Sequence, residues 1–269
     1  MTISSSFDQI SKELAPIAQQ AGQLLMQIQQ QPQNTHKKDD GTPTCQADTA
    51  AEAVIIDALR QRFPDIPIIS EERVRDTNIR SLFFLVDPLD GTADFIDGGT
   101  EFCVNIALIE NGRPVASVIH APCLEKTWLA GETVCEVWGK TTEPHHIATR
   151  IALPERFTAL TSNRYGDETT ERFLNKFPLA ERQRISSAIK FCLIAEGAAD
   201  IYVRYGRTME WDTAAGDLIL TKAGGQVMKA DGTPLLYGKA ESNYANPGFI
   251  AIGDRALAQD ILPELTTRI

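Results

Sequence analysis

The stretch LVDPLDGTADF, residues 85–95, constrains the fold more than any other part of this 269-residue chain. It begins as an apolar run typical of a buried strand and ends in Asp87 and Asp90, with a proline between them and Gly91-Thr92 directly after. A rigid strand that leaves its sheet through a stiff turn holds polar side chains at an accessible edge. Two interpretations fit this pattern: a pair of functional carboxylates, or an ordinary exposed Asp-Pro and Asp-Gly turn.

The N-terminal half is predicted to form two helices and an antiparallel sheet. Residues 7–28 have helical periodicity, with Ser4–Ser6 as caps and Pro16 as either a kink or the true start. A second helix is predicted over residues 47–63. Apolar runs predict strands over residues 66–70, 81–86, 102–110, 114–121, 126–130 and 133–138. Turn residues at Asn111-Gly112 and Gly131-Glu132 join consecutive strands.

The C-terminal half alternates between strand and helix patterns, which is typical of an α/β arrangement. Strands are predicted over residues 156–162, 200–205, 226–230 and 249–253. Helices are predicted over residues 167–177, 187–197 and 211–225. The sequence therefore predicts an α/β protein with an α+β domain over residues 1–147 and an α/β domain over residues 148–269.

Composition and charge limit the function classes. Hydrophobic residues make up 43% of the chain and charged residues 23%, as expected for a globular protein. A net charge of −10 with no basic stripe argues against a nucleic-acid polymer as partner, so an anionic substrate requires local cations. No apolar run is long enough to span a bilayer, and the N-terminus lacks signal-peptide features. We therefore expect a cytoplasmic protein, with peripheral association with the inner membrane and the oligomeric state left open.

Further carboxylates occur where strands end or helices begin. Glu71 follows an apolar strand, whereas Asp48 and Asp212 stand at helix starts, where each could simply be an N-cap. No histidine or cysteine set with metal-ligand spacing accompanies them. Because the donors are all oxygen atoms, the inventory favours Mg²⁺ over zinc.

Three motifs in this order, SEE, DPLDGTADF and WDTAAGDLILTKAGG, resemble the inositol monophosphatase and fructose-1,6-bisphosphatase superfamily of Mg²⁺-dependent, lithium-sensitive phosphatases. Within it, GTPTCQAD, SAIKFCLIAEGAADIY and NPGF are similar to the 3'(2'),5'-bisphosphate nucleotidases of the CysQ type. The resemblance covers nearly the whole chain. It implies a layered αβαβα fold and a small phosphate ester as partner, adenosine 3',5'-bisphosphate, hydrolysed to AMP as a step linked to sulfate assimilation. An inositol monophosphatase or broad sugar phosphatase, and a nucleotide-sensing protein without turnover, are the alternatives.

The resemblance also implies residue roles around two or three Mg²⁺ ions. The implied metal ligands are Glu71, Asp87, the carbonyl of Leu89, Asp90 and Asp212. The residues implied to activate the attacking water are Asp48, Glu71 and Thr92. The implied substrate contacts are Glu71, Leu89, Asp90, Gly91, Thr92, Ser186, Lys190 and Asp212.

Two departures from the family pattern concern the same region. Ala93 stands where related nucleotidases often have a lysine, which puts one phosphate contact in doubt, and Cys45 precedes Asp48 in place of a threonine-rich approach. Lys190, on an otherwise apolar helix, is expected either to neutralise the phosphate that is not hydrolysed or simply to reach solvent.

Overall fold

The computed structural model describes residues 5–32, 35–37, 43–72, 81–139, 143–152, 156–258 and 261. Its first helix, α1 (Phe7–Gln29), begins at Ser6, whose hydroxyl accepts a hydrogen bond of 3.2 Å from the Gln9 amide. Ser4, the other end of the predicted cap region, lies outside the described residues. The helix continues through Pro16, so the prediction that it starts there is wrong.

A short hairpin and a second helix complete the N-terminal layer. Strands β1 (Thr35–Lys37) and β2 (Pro43–Cys45) pair antiparallel, and α2 (Gln46–Arg62) follows without a break. An ion pair between Arg62 and Glu13 joins α2 to α1 at 2.6 Å.

A seven-stranded sheet forms the next layer, and its strands follow chain order across the sheet. They are β3 (Ile68–Ser70), β4 (Leu82–Asp90), β5 (Cys103–Glu110), β6 (Arg113–Ala121), β7 (Lys126–Ala130), β8 (Cys135–Gly139) and β9 (His145–His146). Among these seven described strands, β3 and β4 pair in parallel and the other neighbours pair antiparallel. Between β5 and β6, Asn111 and Gly112 have φ angles of 51° and 79°, which confirms the predicted tight turn.

A five-stranded mixed sheet forms the fourth layer, in the order β11-β10-β12-β16-β14. The C-terminal strands are β10 (Phe157–Ser162), β11 (Leu179–Ile185), β12 (Ile201–Arg204), β13 (Thr208–Met209), β14 (Gln226–Lys229), β15 (Ala245–Asn246) and β16 (Phe249–Ile252). The remaining helices are α3 (Thr92–Ile96), α4 (Glu168–Leu174), α5 (Ile189–Ala195) and α6 (Ala214–Lys222).

Three apolar clusters hold these elements together as a layered αβαβα fold, as predicted. Because side chains alternate along a strand, Phe84 of β4 packs with α1 and α2, while Leu85 faces α5 and α6. The cluster that contains Leu85 also contains Tyr202 and Phe249 of the second sheet, so α5 and α6 are buried between the two sheets. Helix α4 covers the outer face of the second sheet, where Phe173 belongs to the third cluster.

Several predicted elements differ from the observed ones. Strand β11 was not predicted, because its sequence, LAERQRI, is mostly polar. It lies at the sheet edge, pairs with β10 and exposes most of its side chains, so it needs no apolar pattern. The helix predicted over residues 211–225 is a 3₁₀ turn at Glu210–Asp212 followed by α6.

Candidate active site

Three carboxylates from distant parts of the chain meet at one edge of the first sheet. Glu71 directly follows β3 and Asp87 lies in the parallel neighbour β4, where Ser70 is opposite Val86. The Glu71 amide donates to the Val86 carbonyl at 3.1 Å, which extends this pairing to the site. Asp212 ends the 3₁₀ turn before α6. One carboxylate oxygen from each of these three residues lies within 4.8 Å of the other two.

The electrostatics of this group indicate a cation site. Burial raises the pKa of Asp87 well above its usual value, and the charges of Glu71, Asp90 and Asp212 raise it further. Burial likewise raises the pKa of Asp212, followed by the effects of Asp90 and Glu71. Ionising these neighbouring carboxylates together costs free energy unless a positive charge neutralises them. Because the donors of this group are all carboxylate oxygens, it fits a hard divalent cation.

Asp90 is held differently from these three. Its Oδ2 atom accepts hydrogen bonds from the Ala188 amide at 2.6 Å and from the Asn105 side chain at 3.2 Å. The first of these bonds joins the end of β4 to the turn that precedes α5. Asp90 therefore links the two halves of the chain, in addition to its charge acting on Asp87 and Asp212.

Thr92 connects Asp48 to the loop after β4. Its hydroxyl lies 3.0 Å from Asp48 Oδ1 and 2.9 Å from the Leu89 carbonyl, and its single hydrogen can be donated to one of these acceptors at a time. The other oxygen of Asp48 accepts the Cys45 amide at 2.8 Å, so Asp48 also caps α2. Asp48 is 2% exposed, and this burial raises its pKa.

Gly91 allows the chain to turn sharply into α3. It has a φ angle of 93°, and a Cβ atom there would lie 2.8 Å from the Glu101 carbonyl oxygen. A larger residue would therefore be strained both by conformation and by contact. This requirement explains why a glycine directly precedes Thr92.

The carboxylates lie in a cleft of about 670 Å³ between the two halves of the chain. The N-terminal half lines it with Glu71, Asp87, Leu89, Asp90, Gly91, Thr92, Ala93 and Asp94. The C-terminal half contributes cationic and aromatic side chains, among them Arg164, Tyr165, Lys190, Tyr202, Arg204 and Arg207. Ser186, predicted as a substrate contact, also lines the cleft, and its buried hydroxyl has no hydrogen-bond partner among the described residues.

Lys190 is buried in the wall of this cleft. It is 3% exposed, and its Nζ atom donates to the carbonyls of Ile185 at 2.9 Å and Ser187 at 2.5 Å. The ammonium group also lies 4.9 Å from the centre of the Tyr202 ring. Burial lowers the pKa of Lys190 to about 8, although Asp90 acts in the opposite direction. The alternative that this lysine reaches solvent is wrong.

Arg204 also lines the cleft, and it was not predicted from the sequence. It ends β12, is 8% exposed, and donates to the carbonyls of Tyr165 and Arg207. Its guanidinium lies 5.7 Å from the centre of the Tyr165 ring. The only signal in the sequence is one arginine at the end of a buried strand pattern.

Comparison with known proteins defines the class to which this fold and cleft belong. The family model described as inositol monophosphatase family matches residues 7–266, and the chain belongs to this family. Enzymes of the family use divalent metal ions, in agreement with the carboxylate group. The structure of the Thermotoga maritima inositol monophosphatase superposes with a TM-score of 0.81 at 25% identity, covering 96% of each chain.

Nucleotidases of the CysQ type are among the similar proteins. The 3'(2'),5'-bisphosphate nucleotidase CysQ of Salmonella typhimurium is 39% identical over 244 residues, which cover 88% of this chain and 97% of the relative. The CysQ structure from Bacteroides thetaiotaomicron has a TM-score of 0.77 at 32% identity, covering 91% of this chain and 98% of the other. Among the described residues, no helix combines the length and apolar character needed to cross a membrane.

Proposed function

We propose that this chain is a Mg²⁺-dependent 3'(2'),5'-bisphosphate nucleotidase that hydrolyses the 3'-phosphate of adenosine 3',5'-bisphosphate to AMP and phosphate. The relatives named above support the activity, and they match most of the chain. The observation that carries the proposal is the group of Glu71, Asp87 and Asp212 beside the Thr92–Asp48 pair. In a cytoplasmic setting the reaction would remove a by-product of sulfate assimilation.

The proposed metal ligands are Glu71, Asp87, Asp90, Asp212 and the Leu89 carbonyl, holding two or three Mg²⁺ ions. Bound divalent ions supply Lewis-acid activation of water and neutralise charge on the phosphate oxygens. Asp48, Glu71 and Thr92 orient the attacking water: Thr92 donates its hydrogen to Asp48 and accepts one from the water. A threonine alone is a weak base, so the buried carboxylate behind it accounts for the proton transfer.

The substrate's reacting phosphate is proposed to lie against Gly91 and Thr92. Its other phosphate would lie at the opposite wall, where Ser186 and the cations Lys190 and Arg204 line the cleft. Two of the three ammonium hydrogens of Lys190 bond backbone carbonyls, which leaves one for a phosphate oxygen. A substrate with two phosphates would therefore gain more from this cleft than a monophosphate does.

A substrate panel tests the proposed function. Phosphate release is measured with adenosine 3',5'-bisphosphate, inositol 1-phosphate and fructose 1,6-bisphosphate, each with Mg²⁺ and with EDTA. We expect the nucleotide to be the best substrate, activity to be lost in EDTA, and lithium to inhibit. Preference for inositol 1-phosphate or fructose 1,6-bisphosphate would indicate a different phosphatase, and binding without release would indicate a nucleotide sensor. Full activity in EDTA would exclude the metal site.

Lys190→Met should selectively weaken use of the bisphosphate. Methionine retains an apolar stem of similar length while removing the charge, so kcat/KM for adenosine 3',5'-bisphosphate is expected to fall about tenfold to a hundredfold. Hydrolysis of 3'-AMP, which lacks the second phosphate, should change little. Steady-state kinetics on both nucleotides check this. An equal loss on both would mean that Lys190 acts by holding the turn at Ser187, to whose carbonyl it donates.

A further inference from the structure

Arg164 crosses the opening of the cleft from the C-terminal half to α3 and the turn that follows it. It follows β10, and its Nη2 atom lies 2.6 Å from Asp97 Oδ2 and 3.8 Å from Asp94 Oδ1. The arginine side chain is 35% exposed and the Asp97 side chain 59% exposed, whereas Asp87 on the cleft floor is 1% exposed. Arg164 is therefore a cation at the outer end of the site.

The two acidic partners of Arg164 are held with different strength. Asp94 is 8% exposed, accepts the Glu101 amide at 2.8 Å, and packs against Gly99, where a Cβ atom would lie 2.3 Å from Asp94 Oδ2. Asp97 stands largely in solvent, and exposed ion pairs of this kind contribute little to stability. Breaking the ion pair between Arg164 and Asp97 therefore costs little free energy, and a more strongly attracting anion can replace Asp97.

Arg164 pairs with carboxylates, which distinguishes it from Lys190 and Arg204 in the same cleft. Lys190 and Arg204 are buried and donate to backbone carbonyls, which keeps them in place. Among the described residues of the N-terminal half that line the cleft, including Ala93 beside Thr92, none is a cation. A guanidinium matches phosphate oxygens in a two-pronged geometry, and a phosphate dianion attracts it more strongly than one carboxylate does.

We propose that Arg164 is a specificity-determining contact for the phosphate that is not hydrolysed. Before the substrate enters, the ion pair with Asp97 holds the Arg164 side chain at the cleft opening. The carboxylates on the cleft floor place the reacting phosphate deep in the cleft. The second phosphate, which Lys190 and Arg204 contact from the wall, then extends toward the opening, where Arg164 releases Asp97 to bind it as well. This inference rests on the proposed function, because it requires a substrate with two phosphates.

Three variants and one control test the exchange: Arg164→Ala, Asp97→Asn, the double variant, and Arg182→Ala. Arg182 also pairs with a partly exposed carboxylate, Glu171 at 2.7 Å, but neither residue lines this cleft. KM and kcat are measured for adenosine 3',5'-bisphosphate and for 3'-AMP, with melting temperatures for every variant. Arg182→Ala should leave the kinetics of both substrates unchanged.

Arg164→Ala is expected to raise KM for the bisphosphate about tenfold, with kcat nearly unchanged and little effect on 3'-AMP. Asp97→Asn frees the guanidinium from its competitor and should lower the same KM roughly twofold to fivefold. In the Arg164→Ala background, Asp97→Asn should give no such gain, because the carboxylate acts only through the arginine.

A purely structural bridge would behave differently, since either single variant breaks it. Equal increases in KM for Arg164→Ala and Asp97→Asn would therefore overturn the inference, as would an equal loss on 3'-AMP. If Asp97→Asn also lowered KM for the bisphosphate in the Arg164→Ala background, the effect would come only from removing a negative charge that repels the substrate. That result would also overturn the inference. If the wild type does not hydrolyse the bisphosphate, the proposed function fails as well; if it does and Arg164→Ala changes nothing, only this inference fails.

Discussion

Replacement of Asp87 by asparagine is expected to lower kcat/KM by more than a hundredfold, a larger loss than the roughly 10–100-fold typical of residues that only support metal ligands. Asparagine has nearly the same volume but no charge, and an Asp87 oxygen lies within 4.8 Å of oxygens of both Glu71 and Asp212. The Leu89 backbone amide donates a hydrogen bond of 3.1 Å to the Asp87 side chain, and the side-chain oxygen of asparagine can accept the same bond. The turn should therefore persist while divalent-cation binding weakens.

Thermal unfolding separates loss of metal binding from loss of fold. Without divalent ions, Asp87→Asn should melt at a higher temperature than the wild type, because it removes the buried member of three mutually repelling carboxylates. The rise in melting temperature on adding Mg²⁺, present in the wild type through binding to the native state, should be largely lost.

Asp217→Asn provides a matched control for neutralising a buried aspartate. Asp217 pairs with Arg113 at 3.0 Å and accepts the Tyr237 hydroxyl at 2.9 Å, so removing its charge should destabilise the protein. The two substitutions are thus expected to change the metal-free melting temperature in opposite directions. If Asp87→Asn instead lowered that temperature, or kept near wild-type activity at saturating Mg²⁺, the assignment of this cation site would be wrong.

Thr92→Val is expected to lower kcat by about 10²–10⁴-fold, the range of a lost general acid–base function. Valine matches threonine in shape but cannot donate to Asp48 or accept a hydrogen from water. Thr92→Ser keeps the hydroxyl and should retain most of the activity. Pre-steady-state or steady-state kinetics at saturating substrate would show whether the loss lies in kcat and not in KM.

Asp48→Asn tests the other member of the pair. The asparagine oxygen can still accept the Cys45 amide and cap α2, which turns its NH₂ group toward Thr92. Thr92 would then accept a hydrogen where it must donate one, so the proton path from water is interrupted while the helix remains capped. A variant as active as the wild type, with Thr92→Val inactive, would show that the threonine positions water without Asp48.

The local sequence alone determined most of the elements that form the site. A continuous apolar run predicted the buried strand around Phe84 and Leu85, and turn chemistry predicted both the Asn111-Gly112 hairpin and the sharp exit at Gly91. These features depend on side chains and dihedral angles within a few residues, which a pattern can record. The family motifs added the expectation that the strand-end carboxylates act together.

Where a prediction failed, a local pattern was overridden by the surroundings. Strand β11 can be mostly polar because it lies at a sheet edge, where pairing with β10 defines it and most of its side chains face solvent. Lys190 looked like a residue that could reach solvent, but packing beneath Tyr202 and bonds to two carbonyls keep it buried. Neither outcome can be read from periodicity, since periodicity does not record which neighbour covers a given face.

The convergence of distant residues was decided only by the tertiary structure. Asp212 joins Glu71 and Asp87, which precede it by more than a hundred residues, because α6 and the turn before it pack against the first sheet. Arg164 follows β10 of the second sheet, whereas Asp97 caps the C-terminal end of α3, which follows β4 of the first sheet. The two residues meet because the two sheets are packed together. Sequence determines which groups are available and how each is locally oriented. Their distances depend on burying apolar faces between layers, a requirement shared by the whole chain and not contained in any one motif.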